Sequence, residues 1–262
     1  MSAATAGFTV LRAGDWGAGD VDVEWVSSGR RIVPEVEAAV ERAWADALAR
    51  PGAHLFDGPM CRLERWAVSH DNSRLRLALS LTSYKPFFGT NMTRPELADR
   101  FGEDILASPV GVSPALETAD GFLLLGRRNA SVAYYPNRVH PFAGALEPGD
   151  RDVFSAVRRE LREELSLTET EVPAVRCTGL VREAALRQTE LIFRAASGLS
   201  RKQIEQRLDP EEHRSILAVP ATREGVESVL ADPALTPVGS AALLLWGRAR
   251  FGGEWFASYE RH

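Results

Sequence analysis

The sequence is poor in cysteine and in long apolar runs, and each shortage excludes a class of protein. Only two cysteines, Cys61 and Cys177, occur in 262 residues. Two are too few for a disulfide framework or a cysteine-ligated zinc site, and they suggest a reducing compartment. The most apolar run, residues 241–246, is far shorter than the ~20 residues that a membrane-spanning helix needs. We therefore expect no membrane partner.

Excess positive charge is also missing. Acidic residues outnumber basic residues 36 to 31, which gives a formal net charge of −5. A mildly acidic balance argues against a dedicated nucleic-acid binder, so we expect no nucleic-acid partner. Residues 1–5 show no basic segment followed by an apolar core, so no signal peptide is predicted. Together with the few cysteines, this predicts a cytoplasmic location.

Apolar periodicity predicts helices and strands along the whole chain. Up to a boundary at residue 110, strands are predicted at 8–11, 21–26, 61–68 and 75–81, helices at 34–49 and 94–101, and a loop at 82–91. Beyond it, strands are predicted at 122–125, 132–135, 176–184, 189–195 and 215–219, and helices at 152–165, 200–208 and 223–230, with a final helix at 237–250. This mixture predicts an α+β fold or a helix–sheet–helix sandwich rather than a regular βαβ repeat.

Three glutamates fall on one face of the helix predicted at 152–165. Residues 159–165 read Arg-Glu-Leu-Arg-Glu-Glu-Leu, so Glu160, Glu163 and Glu164 are spaced i, i+3, i+4. Crowded carboxylates repel one another unless a cation lies there, and hard ions such as Mg²⁺ prefer oxygen ligands. No histidine or cysteine lies in the segment, which argues against zinc. The alternative is a solvated acidic face neutralised by nearby arginines, Arg158, Arg159 and Arg162.

A glycine-containing loop upstream favours the metal-binding interpretation. Gly144, Asp150 and residues 159–165 together resemble the box of the Nudix hydrolases, G-x5-E-x7-R-E-U-x-E-E-x-G-U with U aliphatic. Three departures stand out: Asp150 replaces a Glu, one extra residue follows it, and Ser166 replaces the late Gly. Residues 55–59, 81–91 and 109–112 look like segments of the UDP-glucose/UDP-galactose pyrophosphatase branch. That branch carries an additional N-terminal domain and also lacks the late Gly.

The resemblance implies a Nudix-type α/β/α sandwich with a mixed sheet over residues 111–262, and a smaller α/β domain over residues 1–110. It also implies a Mg²⁺-dependent hydrolase, with Mn²⁺ as an alternative ion. Glu160 and Glu164 are implied to bind the metal, and Glu163 a metal or a metal-bound water. The backbone carbonyl of Ala143 is implied as a further ligand.

The resemblance leaves some roles less defined. Arg159 is implied to orient the box through ion pairs. The shorter side chain of Asp150 and the extra residue after it leave its contact with the metal open. The general base varies across the family, and our candidate is Glu190, an acid inside the apolar run 189–193. The alternative for Glu190 is an exposed position on a half-buried strand.

Four further residues are candidates for contact with substrate or protons. Arg182 could bind a phosphate in a bidentate manner or form a surface ion pair. Tyr84 and Phe87 could stack on uracil or pack in an interdomain core. His213 could carry a proton or have a capping role in a loop.

The expected substrate is a nucleoside diphosphate-sugar, and the expected reaction is hydrolysis of the pyrophosphate of a UDP-sugar to UMP and a sugar 1-phosphate. One alternative keeps the reaction but takes ADP-ribose or another nucleoside diphosphate derivative. Another is a Nudix fold without catalysis that binds a nucleotide or a partner protein. A homodimer is a candidate assembly.

Overall fold

The structure is a computed structural model that describes residues 7–50, 52 and 55–260. Residues 1–5, where no signal peptide is predicted, lie outside the described residues. The strands are Phe8–Trp16 (β1), Val21–Trp25 (β2), Pro59–Val68 (β3), Leu75–Ser83 (β4), Val110–Glu117 (β5), Phe122–Arg128 (β6), Val139–His140 (β7), Gly144–Ala145 (β8), Ala174–Glu183 (β9), Gln188–Ala196 (β10) and His213–Pro220 (β11).

Helices connect and cover these strands. They are Pro34–Leu48 (α1), Tyr84–Phe87 (α2), Leu97–Phe101 (α3), Val153–Leu165 (α4), Arg201–Glu205 (α5), Arg223–Leu230 (α6), Pro237–Phe251 (α7) and Gly253–Glu260 (α8). Short 3₁₀ turns occur at Ala18–Asp20, Glu103–Ile105 and Glu169–Glu171, and a π-helical turn at Phe88–Met92. Among the described residues, no helix combines the length and apolarity that crossing a bilayer requires.

The strands form two sheets. The larger has the order β1-β9-β10-β5-β6-β11, with β7 beside β6 and β8 beside β5. It is mixed, because β10 and β5 run parallel while their other neighbours are antiparallel. The smaller sheet has the order β2-β4-β3, with β2 parallel to β4.

Helices cover both faces of the larger sheet. Consecutive residues of β10 point to opposite faces: Phe193 packs in one hydrophobic cluster with Phe154 of α4, and Ile192 packs in another with Leu243 of α7. The Phe154 and Phe193 rings meet edge to face, with centroids 5.5 Å apart. Burying each such side chain stabilises the fold by about 1.5–3 kcal/mol. The predicted α+β fold with an α/β/α sandwich is confirmed.

The strand pairing crosses the predicted boundary at residue 110. Strand β1 lies at the edge of the larger sheet, where Phe8 pairs with Glu183 and Trp16 with Cys177. The smaller sheet contributes Leu77 to the same hydrophobic cluster as α4. The two predicted parts therefore share one sheet and one hydrophobic cluster. Division into domains 1–110 and 111–262 stays a prediction.

Helix α4, which carries the predicted site, begins and ends on clear local signals. The Asp152 carboxylate accepts hydrogen bonds from the backbone N–H groups of Phe154 and Ser155, at 3.0 and 2.7 Å, and so caps the N-terminus. Ser166 ends the helix in the left-handed conformation, with φ of 52°. Glycine favours that conformation most, which explains why the family has glycine at this position.

Several predicted elements are wrong. Residues 82–91 are not a loop, because α2 and the π-helical turn occupy most of them. Residues 132–135 form no strand: Tyr135 adopts a left-handed φ of 46°, and β6 pairs with β7 instead. The helix predicted at 200–208 ends at Glu205, and α7 is followed by α8.

Candidate active site

The acidic face of α4 is largely buried. Glu160 and Glu164 are 8% and 7% exposed, whereas Glu163 is exposed. Burial raises the pKa of Glu160 to about 8; Arg159 opposes this rise, and Glu164 adds to it. Burial also raises the pKa of Glu164 well above its usual range. Crowded, desolvated carboxylates bind protons or cations strongly, so the face is suited to holding positive charge.

Arg159 holds the acidic face and the upstream loop together. Its guanidinium donates two hydrogen bonds to the Asp150 carboxylate, at 3.0 and 3.1 Å, and one to the Ala145 carbonyl at 2.8 Å. It also donates to Glu160 at 2.7 Å and to Glu163 at 3.1 Å. These contacts are what an orienting residue requires. Both oxygens of the Asp150 carboxylate therefore accept hydrogen bonds from Arg159. Asp150 stands where the Nudix box has its first glutamate.

Three glycines make room for three charged or polar side chains. A Cβ on Gly144 of β8 would lie 2.2 Å from Glu160 Oε1, and one on Gly111 of β5 would lie 2.0 Å from Glu190 Oε1. A Cβ on Gly126 of β6 would lie 2.1 Å from His213 Nδ1. No side chain fits in these places, so the sheet brings backbone and site residues into direct contact.

The donor set at α4 fits a hard divalent cation. Glu164 Oε2 is buried and has no hydrogen-bond partner, while a backbone hydrogen bond from Ala143 holds the same carboxylate. Glu160 and Glu163 supply further carboxylate oxygens on the same face. Oxygen donors of this kind suit Mg²⁺ or Mn²⁺. Ala143, the residue before the box glycine, contacts Glu164 through its backbone N–H; its carbonyl as a metal ligand stays a prediction.

His213 lies in this site rather than in a loop. It is the first residue of β11, fully buried, and its Nε2 lies 2.7 Å from Glu164 Oε2. Burial, together with the positive charge of Arg128, lowers the pKa of the imidazole to about 4. The capping alternative for His213 is therefore wrong. No histidine lies within residues 141–167, yet the fold brings His213 to the box carboxylate Glu164.

A cavity of about 720 Å³ opens beside the box. The box carboxylates do not line it directly; Gly144, in contact with Glu160, forms its wall. The lining residues include Phe56, Met60, Tyr84 and Phe87 from the N-terminal part, and Ser113, Arg128, Tyr134, Ala143, Gly144, Glu190 and Glu212 from the larger sheet and its loops.

Glu190 lines this cavity and is only 5% exposed. The alternative of an exposed strand position is therefore wrong for Glu190. The hydroxyl of Ser113 donates a hydrogen bond to Glu190 Oε2 at 3.0 Å. Burial raises the pKa of Glu190 to about 8, and the hydrogen bond from Ser113 opposes that rise. A carboxyl group with such a pKa can take up a proton near neutral pH.

The other predicted contact residues separate into two groups. Tyr84 and Phe87 line the cavity, and Tyr84 also meets Trp44 edge to face at 6.0 Å. Arg182 is not among the residues that line the cavity, and its guanidinium is bound by Glu103. Its surroundings therefore match the ion-pair alternative, and a contact with phosphate stays a prediction.

Sequence reasoning missed Arg128 and Glu212. Arg128 is buried at the end of β6, donates to the Tyr134 carbonyl at 3.0 Å, and reaches Glu212 Oε2 at 3.4 Å. Period-two alternation from the apolar start of β6 places Arg128 on the same face as Leu124. A charged residue on the apolar face of a predicted strand was therefore the signal that could have identified Arg128.

Comparison with known proteins agrees with this site. Residues 107–226 match the NUDIX domain family. A human protein named uridine diphosphate glucose pyrophosphatase NUDT22 is 30% identical, and the match covers 84% of each chain. The bovine protein of the same name is 28% identical over 84% of this chain and 88% of that one. A crystal structure of DR0079 from Deinococcus radiodurans matches at 21% identity and a TM-score of 0.40, over 52% of this chain and 80% of that one. Given the domain match, the human relative and the box core at residues 159–165, the chain belongs to the Nudix hydrolase family.

Proposed function

We propose that the protein hydrolyses the pyrophosphate of a UDP-sugar, releasing UMP and a sugar 1-phosphate. The observation that carries this proposal is that Gly144, which packs directly against the Glu160 carboxylate of α4, lines a cavity of about 720 Å³. A cavity of that size suits a small-molecule ligand. The relatives named uridine diphosphate glucose pyrophosphatase support a UDP-sugar as substrate.

Glu160, Glu163, Glu164 and the Ala143 carbonyl are the proposed ligands of Mg²⁺, with Mn²⁺ as an alternative. When bound, a divalent cation supplies neutralisation of the pyrophosphate charge and acidification of the attacking water. Arg159 keeps Glu160 and Glu163 in position through its fixed contacts with Asp150 and Ala145. Exposed Glu163 is the carboxylate most accessible to water.

Glu190 is the proposed general base. It lines the cavity, and its pKa of about 8 permits proton uptake near neutral pH. Arg128 lines the same cavity with a positive charge suited to the phosphates. Arg182 is not proposed as a phosphate ligand, because its guanidinium already forms an ion pair with Glu103.

The aromatic wall from the N-terminal part supports recognition of the base. Tyr84 and Phe87 line the cavity. A flat aromatic ring beside a nucleotide cavity can stack on uracil, and such stacking contributes about 1–3 kcal/mol per base. The free, buried thiols of Cys61 and Cys177 support a cytoplasmic location. A homodimer remains an expectation.

A substrate panel tests the reaction and its alternatives. The protein is incubated with Mg²⁺ and UDP-glucose, UDP-galactose, ADP-ribose or NADH, and the released monophosphate is measured with and without EDTA. Metal-dependent UMP release from the UDP-sugars supports the proposal. Turnover of adenine substrates alone would establish the ADP-ribose alternative. Binding without turnover at any metal would establish the non-catalytic alternative.

A further inference from the structure

We propose that Glu164, Glu212 and His213 form a mixed nitrogen–oxygen site that binds a first-row transition-metal dication, such as Co²⁺ or Zn²⁺, in preference to Mg²⁺. One ligand atom from each of the three residues lies within 4.8 Å of the others. The site shares Glu164 with the box but adds an imidazole, a donor that the box itself lacks. The inference concerns metal binding and does not depend on the substrate.

Three buried atoms in this cluster point to a missing ligand. His213 is fully buried, and neither of its ring nitrogens has a hydrogen-bond partner; the same holds for Glu164 Oε2. Nε2 and Oε2 lie only 2.7 Å apart, yet the geometry does not satisfy a hydrogen bond. Buried polar atoms are normally satisfied. Two donor atoms placed side by side, with neither aimed at the other, suit a shared ion.

The surroundings hold the imidazole in one orientation. The ring lies against Gly126, where a Cβ would be 2.1 Å from Nδ1. The edge-to-face contact with Phe142, at 5.0 Å between centroids, fixes the ring from another side. Packing therefore closes off Nδ1, while Nε2 lies 2.7 Å from Glu164 Oε2. A ligand held this firmly loses little conformational entropy when it binds an ion.

Glu212 supplies an adjustable third ligand on the cavity side. Its backbone carbonyl accepts a hydrogen bond from the N–H of Asn129 at 2.8 Å, which fixes the chain there. Its side chain is 49% exposed and reaches Arg128 only at 3.4 Å, so it can turn toward an ion at low cost. Because Glu212 lines the cavity, an ion has a route to the site from solvent.

The donor types determine the preference for the ion. Mg²⁺ favours oxygen ligands, whereas a neutral imidazole favours ions such as Co²⁺, Ni²⁺ and Zn²⁺. Three protein ligands with an open side toward the cavity resemble sites that keep a position free. An ion bound here would occupy Glu164 and compete for that carboxylate with Mg²⁺ at the box.

Metal binding to the tag-free, full-length protein tests the proposal. Co²⁺ binding is followed by visible absorption and Mg²⁺ binding by equilibrium dialysis, in wild type and in His213→Gln. We expect His213→Gln to weaken Co²⁺ binding at least tenfold and to change Mg²⁺ binding less than twofold. An unchanged Co²⁺ affinity, or an equal loss for both ions, would overturn the proposal.

Two further variants keep the test decisive. His140→Gln is the matched control, since His140 is also buried and lines the cavity, but its Nδ1 is held by Thr236 at 2.8 Å. It should leave Co²⁺ binding unchanged, and a loss equal to that of His213→Gln would contradict the assignment.

If circular dichroism shows that His213→Gln does not fold, Glu212→Gln replaces it in the test, because Glu212 is half exposed. We expect Co²⁺ binding by Glu212→Gln to be at least fivefold weaker than in wild type. Unchanged Co²⁺ binding in that variant would overturn the proposal. Neither readout requires hydrolysis of a UDP-sugar, so failure of the proposed reaction is seen separately.

Discussion

Gly144 lies directly beneath the carboxylate of Glu160, so close that a methyl group on Gly144 would be 2.2 Å from Oε1. Gly144 pairs with Val112 in the larger sheet, while Glu160 projects from α4. The glycine of the box is thus required for space. Strand β8 and helix α4 thus meet where Gly144 lies between the Glu160 carboxylate and the cavity.

Replacing Gly144 with alanine should displace the Glu160 carboxylate. We expect Gly144→Ala to lower Mg²⁺-dependent turnover about a hundredfold, because small displacements of positioned groups carry penalties of that size. Steady-state kinetics over a range of Mg²⁺ concentrations measures the effect. Gly149→Ala is the matched control, since nothing lies within 4 Å of a Cβ at that position. Equal activity of both variants would contradict a tight contact between Gly144 and Glu160.

Removing the Arg159 side chain should destabilise the metal-free protein. Arg159 and Asp150 form a two-bonded ion pair in which the Asp150 side chain is 5% exposed. Leaving one partner of a buried pair uncompensated costs about 3–5 kcal/mol. We expect Arg159→Ala to lower the free energy of unfolding by about 3 kcal/mol in urea titrations. Arg151→Ala, which removes an exposed arginine, should change the free energy of unfolding by less than about 0.5 kcal/mol. A similar loss in both variants would contradict a stabilising role of the Arg159–Asp150 ion pair.

Turnover should rise with pH through the titration of Glu190. Burial raises the pKa of that carboxyl to about 8, so the base form accumulates only as the pH approaches and passes this value. We expect kcat/KM for a UDP-sugar to increase up to about pH 8, and Glu190→Gln to abolish this limb. The Ser113 hydrogen bond lowers the pKa, so Ser113→Ala should move the limb to higher pH. A limb that is unchanged in both variants would exclude Glu190 as the base.

The same carboxyl predicts a change in stability that is independent of activity. Its pKa is higher in the folded protein than in the unfolded chain, so the folded state binds more protons between the two values. The contribution of Glu190 to stability is therefore present below about pH 4.5 and is lost as the pH rises through about 8. Urea unfolding at pH 5 and pH 8 should show a smaller difference for Glu190→Gln than for wild type. An equal difference would show that Glu190 is ionised in the folded state.

Truncating Tyr84 should weaken substrate binding more than catalysis. Tyr84 lines the cavity, and loss of a stacking ring costs about 1–3 kcal/mol. We expect Tyr84→Ala to raise KM for UDP-glucose at least tenfold while kcat changes little. Tyr84→Phe retains the ring and should keep the wild-type KM. An unchanged KM in Tyr84→Ala would assign the residue to core packing with Trp44 instead.

The sequence predicted the helix α4 and its acidic face because all the signals are local. Asp152 caps the start, Leu161 and Leu165 mark the buried side, and the spacing of the glutamates places them together. These features need only helix geometry and the chemistry of the side chains, so no knowledge of distant contacts was required.

The residues that sequence reasoning misassigned depend on distant contacts. Residues 82–91 contain Pro86 and Gly89, which indicate a loop, but Gly89 packs against Val40 of α1, where a Cβ would be 2.7 Å from Val40 Cα. The glycine thus permits close packing of a helical turn rather than ending it. His213 reaches Glu164 only because Gly126, distant in sequence, leaves room for its ring. No pattern around His213 itself carries that information.

Strand β1 has a consequence for the order in which the chain can fold during synthesis. Residues 8–16 form their sheet pairs with residues 177–183 of β9, which leave the ribosome after more than 160 further residues. Such long-range pairing closes late, because the intervening chain must be present before the contact can form. Strand β1 therefore stays without its partner in the nascent chain until β9 has emerged, although it is synthesised well before that partner.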